Sequence, residues 1–306
     1  MLSVSNYHYI RPSFNAPFPS IYGITPVAFR EQLLLIKNEA DFINPNTLLA
    51  NFEEIVYSKS NYFLITFDDG LKEQFDNAMP ILDSLNIPAA FFANSSNYEH
   101  TIVSTVHKIH LLRSLLPSNA FLIQFNLNAE DILKKKEQLR AQEIYQYDDK
   151  EAAELKYLLN FKLSFNAQKS LIDNMFAVHF AEDEVGEGLY MSKKNLVDLA
   201  NLGYLGSHSH HHYPLGLLDN VVLRNELEHS KEYFETLSNT AIEMISYPYG
   251  TPEACTAKVA AQARRTGYQL GFTTGRGANT RGINPLLLNR FDCNDVPGGK
   301  NYKNKL

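Results

Sequence analysis

Two adjacent carboxylates in Thr66-Phe67-Asp68-Asp69-Gly70 repel each other, so the chain must offset that cost. A cation bound by one of them would do so, and the other could then act as a base. The plainer alternative is that one Asp caps the next helix while the other faces solvent. A second segment, Ser207-His208-Ser209-His210-His211-His212, holds four imidazoles in five residues. His208 and His212 are four apart, the spacing that aligns two side chains on one helical turn. With an aspartate they make a two-histidine, one-carboxylate set that leaves metal positions open for water and substrate. His210 and His211 point elsewhere in that geometry. The alternative is a solvent-exposed histidine loop. In a third segment, Ser246-Tyr247-Pro248-Tyr249-Gly250, Pro and Gly can present a backbone N–H as an oxyanion donor, or can simply make a strand-to-helix turn.

The surrounding pattern tells where these residues sit. Short apolar runs alternate with helical periodicity, which predicts a parallel α/β architecture. The strand-like runs are Tyr62–Phe67, Ala89–Phe92, Tyr204–Gly206, Met244–Tyr247, Leu270–Thr273 and Leu286–Asn289. Helical patterns cover Pro26–Lys37, Glu73–Leu85, Lys193–Leu202, Leu223–Leu237 and Pro252–Thr266, with Pro252 suited to a helix start. Glu226 to Ser230 reads as part of a polar helix face. Each polar motif follows a strand: Asp68 and Asp69, then His208, then Tyr249 and Gly250, and finally Arg290 and Asp292 after Leu286–Leu288. Parallel α/β enzymes place their chemistry at these strand ends.

From about Thr101 to Gly188 the alternation stops and the chain reads as largely helical and more charged, with helical stretches at Ala129–Gln142, Lys156–Phe161 and Ser170–Phe180. This predicts an insertion at about 101–188 within a single domain of residues 1–306, expected to border the site. Lys134–Lys136 is read as a solvated face. His107 and His110 are read as packing or surface residues. His8 could reach the site or could be a hydrogen-bonded core histidine.

A formal charge of −6 over 306 residues argues against nucleic-acid binding as the main task. No stretch approaches the roughly 20 apolar residues of a membrane span. The start of the chain lacks the pattern of a secretory signal, so a cytoplasmic location is expected. Cys255 and Cys293 have no metal-type spacing and read as buried free thiols.

Taken in order, Thr-Phe-Asp-Asp-Gly, Gly-Ser-His-Ser-x-x-His (Gly206 to His212) and Tyr-Pro-Tyr-Gly resemble the motifs of the NodB-homology polysaccharide deacetylases. The likeness runs over most of the chain. Tyr7-His8-Tyr9 and Thr25–Leu35 look like that family's first strand and helix. The resemblance implies a deformed (β/α) barrel with fewer than eight strands, carrying the helical insertion. It also implies one divalent metal ion, usually Zn2+, held by Asp69, His208 and His212. In the same family, the residue matching Asp68 is the base, and the backbone N–H of the residue matching Tyr249 steadies the tetrahedral intermediate.

Three departures stand out. Ser246 occupies the place of the family's arginine beside the base. The chain contains no Trp, and Gly271–Gly277 offers no acidic residue for the fourth motif. Leu288-Asn289-Arg290 carries Arg where the family's acid histidine is expected. Arginine stays charged and cannot give up a proton, but its planar fork matches a carboxylate. Arg290 is therefore expected to reach Asp68 and restore the lost partner; the alternative is pairing with Asp292 or with substrate at the rim. The function implied is metal-dependent removal of an N-acetyl group from an amino-sugar substrate, expected to be a surface-glycan precursor. Hydrolysis of a non-sugar amide or imide, and a silent metal- or sugar-binding protein, are the alternatives.

Overall fold

The computed structural model describes residues 1–13, 23–124, 133–145 and 148–303. They form two compact units. One contains Met1–Ser13, Tyr22–Ile102 and Gly186–Leu306, and the other contains Val103–Val185.

The first unit is built on a parallel sheet of β1 (Leu2–Tyr7), β2 (Asp41–Phe42), β3 (Tyr62–Phe67), β4 (Ala89–Ala93), β5 (Leu205–Ser207), β6 (Met244–Ser246), β7 (Leu270–Phe272) and β8 (Phe291–Asp292). The order is β7-β6-β5-β4-β3-β1-β8, with β2 beside β3: eight strands where fewer were expected, because the two-residue pairings of β2 and β8 join the sheet. Every named strand pair is parallel, so all C-terminal ends share one rim. Strand alternation gives two apolar layers. Val4, Leu64, Ala90, Phe92, Met244, Leu270 and Phe272 join one core cluster. Tyr7, Phe29, Phe67 and Phe91 form a second, in which the Phe67 and Phe91 rings stack at 4.6 Å. Each buried Val, Leu, Met or Phe side chain contributes about 1.5–3 kcal/mol on burial.

The run expected as a strand at Leu286–Asn289 behaves differently. It makes a single parallel bridge, Leu288 to Phe272, and the chain becomes strand only at Phe291–Asp292, beside Ser5 and Asn6 of β1. Backbone bonds from Gly271 N to Pro285 O (2.8 Å) and from Leu288 N to Gly271 O (2.7 Å) hold it to β7. Residues 285–292 therefore span from one end of the sheet to the other and curl it into a barrel, with Arg290 at the junction. A segment that pairs with a different strand on each side cannot keep one ladder for long, so regular strand is lost.

Two helices also depart from the pattern. The stretch from Glu73 contains a wider-pitch turn, Gln74–Ala78, before the α-helix Met79–Leu85. Pro80 lacks an amide N–H, which disturbs the regular ladder there. The helix expected from Pro252 starts instead at Ala257, where the Thr256 hydroxyl accepts from Val259 N. Residues 252–254 form turns.

In the second unit the described residues are helical at Thr105–Leu115, Ser118–Gln124, Lys135–Ile144, Lys150–Tyr157 and Phe165–His179. Residues 129–132 of the helical stretch read at Ala129–Gln142 lie outside the described residues. Lys134–Lys136 is exposed and His107 is buried. Lys108 is buried and paired with Asp173 at 2.7 Å and Glu182 at 2.8 Å. Among the described residues no helix is long and apolar enough to cross a membrane. Cys255 and Cys293 are free thiols, Cys255 buried as expected and Cys293 only half-buried.

Candidate active site

The carboxylate pair sits on a turn that ends β3. Asp68 N donates to Tyr7 O at 3.0 Å. Gln74 Nε2 donates to Asp68 O (2.6 Å) and His8 O (3.0 Å), tying the ends of β1 and β3 together. Asp69 takes φ 79° and Gly70 φ 63°. A left-handed non-glycine residue costs on the order of 1–3 kcal/mol and persists only where its surroundings enforce it. At Gly70 a side chain is excluded, since a Cβ would lie 2.5 Å from the Tyr98 hydroxyl and 2.9 Å from Ala93 Cβ.

The histidine segment is not a helical turn. Ser209 (φ 63°) and His212 (φ 60°) reverse the chain twice, and this loop path brings His212 back beside His208. Their rings lie edge to face with centroids 4.9 Å apart. Hydroxyls and amides enforce the path. Asn94 donates to His208 O, Ser209 N donates to Ser207 Oγ at 3.1 Å, and Ser230 Oγ donates to Ser209 O at 3.0 Å. His210 and His211 turn away from His208: His210 Nδ1 meets Ser95 Oγ at 2.7 Å, and His211 Nδ1 meets Glu226 Oε1 at 2.6 Å.

These turns bring Asp69, His208 and His212 together. Asp69 Oδ1 lies 3.4 Å from His208 Nε2 and 3.4 Å from His212 Nε2. Ligands at about 2.0–2.1 Å from a tetrahedral zinc ion are about 3.3 Å apart, so the spacing fits a metal. All three residues are buried. His208 Nδ1 faces the Ser246 carbonyl at 2.7 Å, and a carbonyl only accepts, so Nδ1 is the donor and Nε2 is aimed at the cluster. Burial opposes a charge on His208, but Asp68 and Asp69 outweigh it and raise its pKa. The cluster thus draws positive charge to the position a metal would take. His8, 42% exposed, lies on the other side with Nε2 4.0 Å from Asp69 Oδ2, so it reaches the site.

Arg290 meets Asp68 through two parallel bonds, Nη1 to Oδ1 at 2.9 Å and Nη2 to Oδ2 at 2.7 Å. Its side chain is 1% exposed and also donates from Nε to Thr273 O (2.8 Å) and from Nη1 to Thr66 Oγ1 (3.2 Å). Burial alone would raise the Asp68 carboxyl, but the Arg290 guanidinium and then His208 overcome it and hold it at about 2. Asp292 turns instead to Asn294 N, at 2.8 Å. Ser246 is fully buried in the strand below.

Tyr249 and Gly250 form the turn after β6, both at φ 63°. A Cβ on Gly250 would lie 2.6 Å from Thr274 N, and that amide instead donates to Gly250 O at 2.9 Å. The Tyr249 ring stands edge-on to His212 at 5.1 Å, so this turn borders the metal-type cluster.

Several supporting residues carried no signal in the sequence. Gln74 and Asn94 are ordinary amides until the fold places them. Glu226 and Ser230, on the helix Asn220–Ser238, read as a polar face but are buried against the histidine loop. An acid four residues from a serine within an apolar helical pattern was the available hint.

The sequence profile of the polysaccharide deacetylase family matches residues 57–138 and 185–271. YxkH of Bacillus subtilis (strain 168), by name a polysaccharide deacetylase, is 30% identical over 107 residues, which are 35% of this chain and 37% of the relative. Two solved structures share the fold. The Streptococcus pyogenes deacetylase PplD in complex with acetate aligns with a TM-score of 0.59 at 18% identity, over 97% of this chain and 92% of that one. IcaB from Ammonifex degensii aligns with a TM-score of 0.59 at 17% identity, over 97% and 94%. With the profile matched across more than half its length, and the Asp-Asp and histidine motifs inside the matched residues, the chain belongs to the polysaccharide deacetylase family.

Proposed function

We propose that this chain is a metal-dependent hydrolase that removes the N-acetyl group from an amino sugar of a polysaccharide or of its precursor. The observation that carries the reading is the convergence of Asp69, His208 and His212 beside an ionised, arginine-held Asp68. A zinc-type ion bound by the first three residues supplies a Lewis acid for the acetamide carbonyl and lowers the pKa of water.

The remaining work falls to the chain. Asp68, kept ionised, takes a proton from the attacking water. Arg290 fixes the plane of that carboxylate without giving up a proton. The Tyr249 N–H donates to the developing oxyanion, as a preorganised backbone dipole should. The leaving amine needs a proton, and Asp68 returns the one it took. Thus one carboxylate serves as base and then acid, which accounts for the absence of an acid histidine at position 290.

The test is acetate release, followed by mass spectrometry, from N-acetylated amino-sugar oligosaccharides and nucleotide-linked acetamido sugars. Release by the zinc-loaded protein that disappears in Asp68→Asn supports the reading. Binding of these sugars with no release from any of them would make the chain a silent binder instead.

A further inference from the structure

A second group of metal-type donors lies in the first unit and shares no residue with the proposed catalytic set. Glu99, His100 and His210 each offer a ligand atom, and these atoms all lie within 4.8 Å of one another. We propose that Glu99, His100 and His210 form a second binding site for a zinc-class divalent ion, with His229 holding the Glu99 carboxylate in place.

Several independent features support the site. His210 is buried, and its Nδ1 is engaged by Ser95 Oγ at 2.7 Å. The hydroxyl can accept from Nδ1, and in that tautomer the Nε2 lone pair is open to a metal. Glu99 and His100 are adjacent in sequence, so one short segment supplies two donors. Glu99 Oε2 lies 3.9 Å from His100 Nε2 and 2.6 Å from His229 Nε2. That second contact is the carboxylate–histidine pairing that orients ligands around metal centres. The His210 and His229 rings stand 4.3 Å apart, and those of His100 and His210 stand 5.9 Å apart. A cavity of about 470 Å³ lined in part by His210, His211, Glu226 and His229 borders the His210 side of the site.

The donor set selects the ion. Two imidazoles and one carboxylate suit zinc, copper or nickel, whereas magnesium and calcium prefer oxygen ligands. The donors are still wider apart than about 3.3 Å, so side chains must close in by rotation. His100, 49% exposed, has room to do that, and Glu99, 29% exposed, can turn about its contact with His229. A site that must close in this way binds more weakly than a preformed one.

The site is also tied to the loop that carries His208 and His212. Ser96 N and Ser96 Oγ both donate to His210 O, at 3.2 and 2.7 Å. An ion on His210 and Glu99 would pin the same two segments from the side-chain end and brace the loop.

Metal stoichiometry tests this without any activity measurement. The whole protein is dialysed against buffered free Zn2+ and analysed by mass spectrometry. The expected result is two ions per wild-type chain, one in Glu99→Gln/His100→Ala, and one in His212→Ala. His229→Gln should weaken the second ion by about 10- to 100-fold, the usual cost of removing a ligand's hydrogen-bond partner. Excess Mg2+ should displace neither ion. Saturation of the wild type at one ion that Glu99→Gln/His100→Ala retains would overturn the second site and leave the first intact. Two ions remaining in Glu99→Gln/His100→Ala would overturn this choice of ligands.

Discussion

The histidine segment 208–212 serves two clusters of opposite character. His208 and His212 enter a buried set with Asp69 whose backbone is left-handed at Asp69 and His212. His210 enters a half-open set with Glu99 and His100, whose donors sit on exposed side chains. Strained backbone and burial fix donor spacing before any ligand arrives. Exposed side chains leave the spacing to be completed by the ligand. The same residue type on one loop can therefore give a preorganised centre and an adaptable one, and the difference lies in what surrounds each ring.

The comparison predicts unequal sensitivity. The largest effect is expected at the buried set: His212→Ala should lose its ion and acetate release together, because no neighbour can replace a donor held by that backbone. Retained metal at full stoichiometry in this variant would show that the buried set is not the tight one. Asp68→Asn should keep the ion and lower kcat by about 10²–10⁴, the range for a positioned acid or base. Near-parental turnover in Asp68→Asn would remove it from the chemistry.

Arg290 sharpens the contrast, because its pair with Asp68 is buried while the ion pairs around Glu99 are partly exposed. Arg290→Ala should destabilise the fold by about 3–5 kcal/mol in urea unfolding, the cost of stranding a buried charge. Arg290→Lys should lower turnover by about ten- to a hundredfold through loss of one charged hydrogen bond, worth about 1.5–3 kcal/mol. Stability should also report on Asp68. Its carboxyl sits at about 2 when folded against an ordinary 3.8, so its contribution is present above about 3.8 and lost as pH falls through about 2. Wild-type stability should fall in that window more steeply than that of Asp68→Asn, and equal slopes would contradict a depressed Asp68. The smallest effect is expected at His8: His8→Asn should turn over near the parental rate. A loss as large as that of Asp68→Asn would move the proton return to His8.

Much of the site was legible in the sequence because motif and strand end coincide. The Asp-Asp pair, the histidine segment and the Tyr249 turn each follow an apolar run, and parallel strands put such ends on one rim. The Arg290–Asp68 pair follows from charge bookkeeping, since a carboxylate that lost one arginine needs another. What sequence could not reveal is how the loop brings His208 and His212 together. Four-residue spacing suggested a helix, but the path depends on left-handed turns at Ser209 and His212, enforced by the neighbouring Ser207 and by Asn94 and Ser230 from other elements. Residues 285–292 were hidden for a similar reason: which strands they join is a property of the closed sheet. The buried Glu226 shows the limit of reading polar helix positions as solvent faces, because its partner, His211, comes from the loop that the helix packs against.

The most direct test of the account is acetate release from an N-acetylated amino-sugar oligosaccharide by one preparation, first stripped by a chelator and then reloaded with Zn2+. The expected result is no release from the stripped protein, recovery on reloading, and no recovery in Asp69→Ala. Equal release by the stripped and reloaded protein, or recovery in Asp69→Ala, would contradict it.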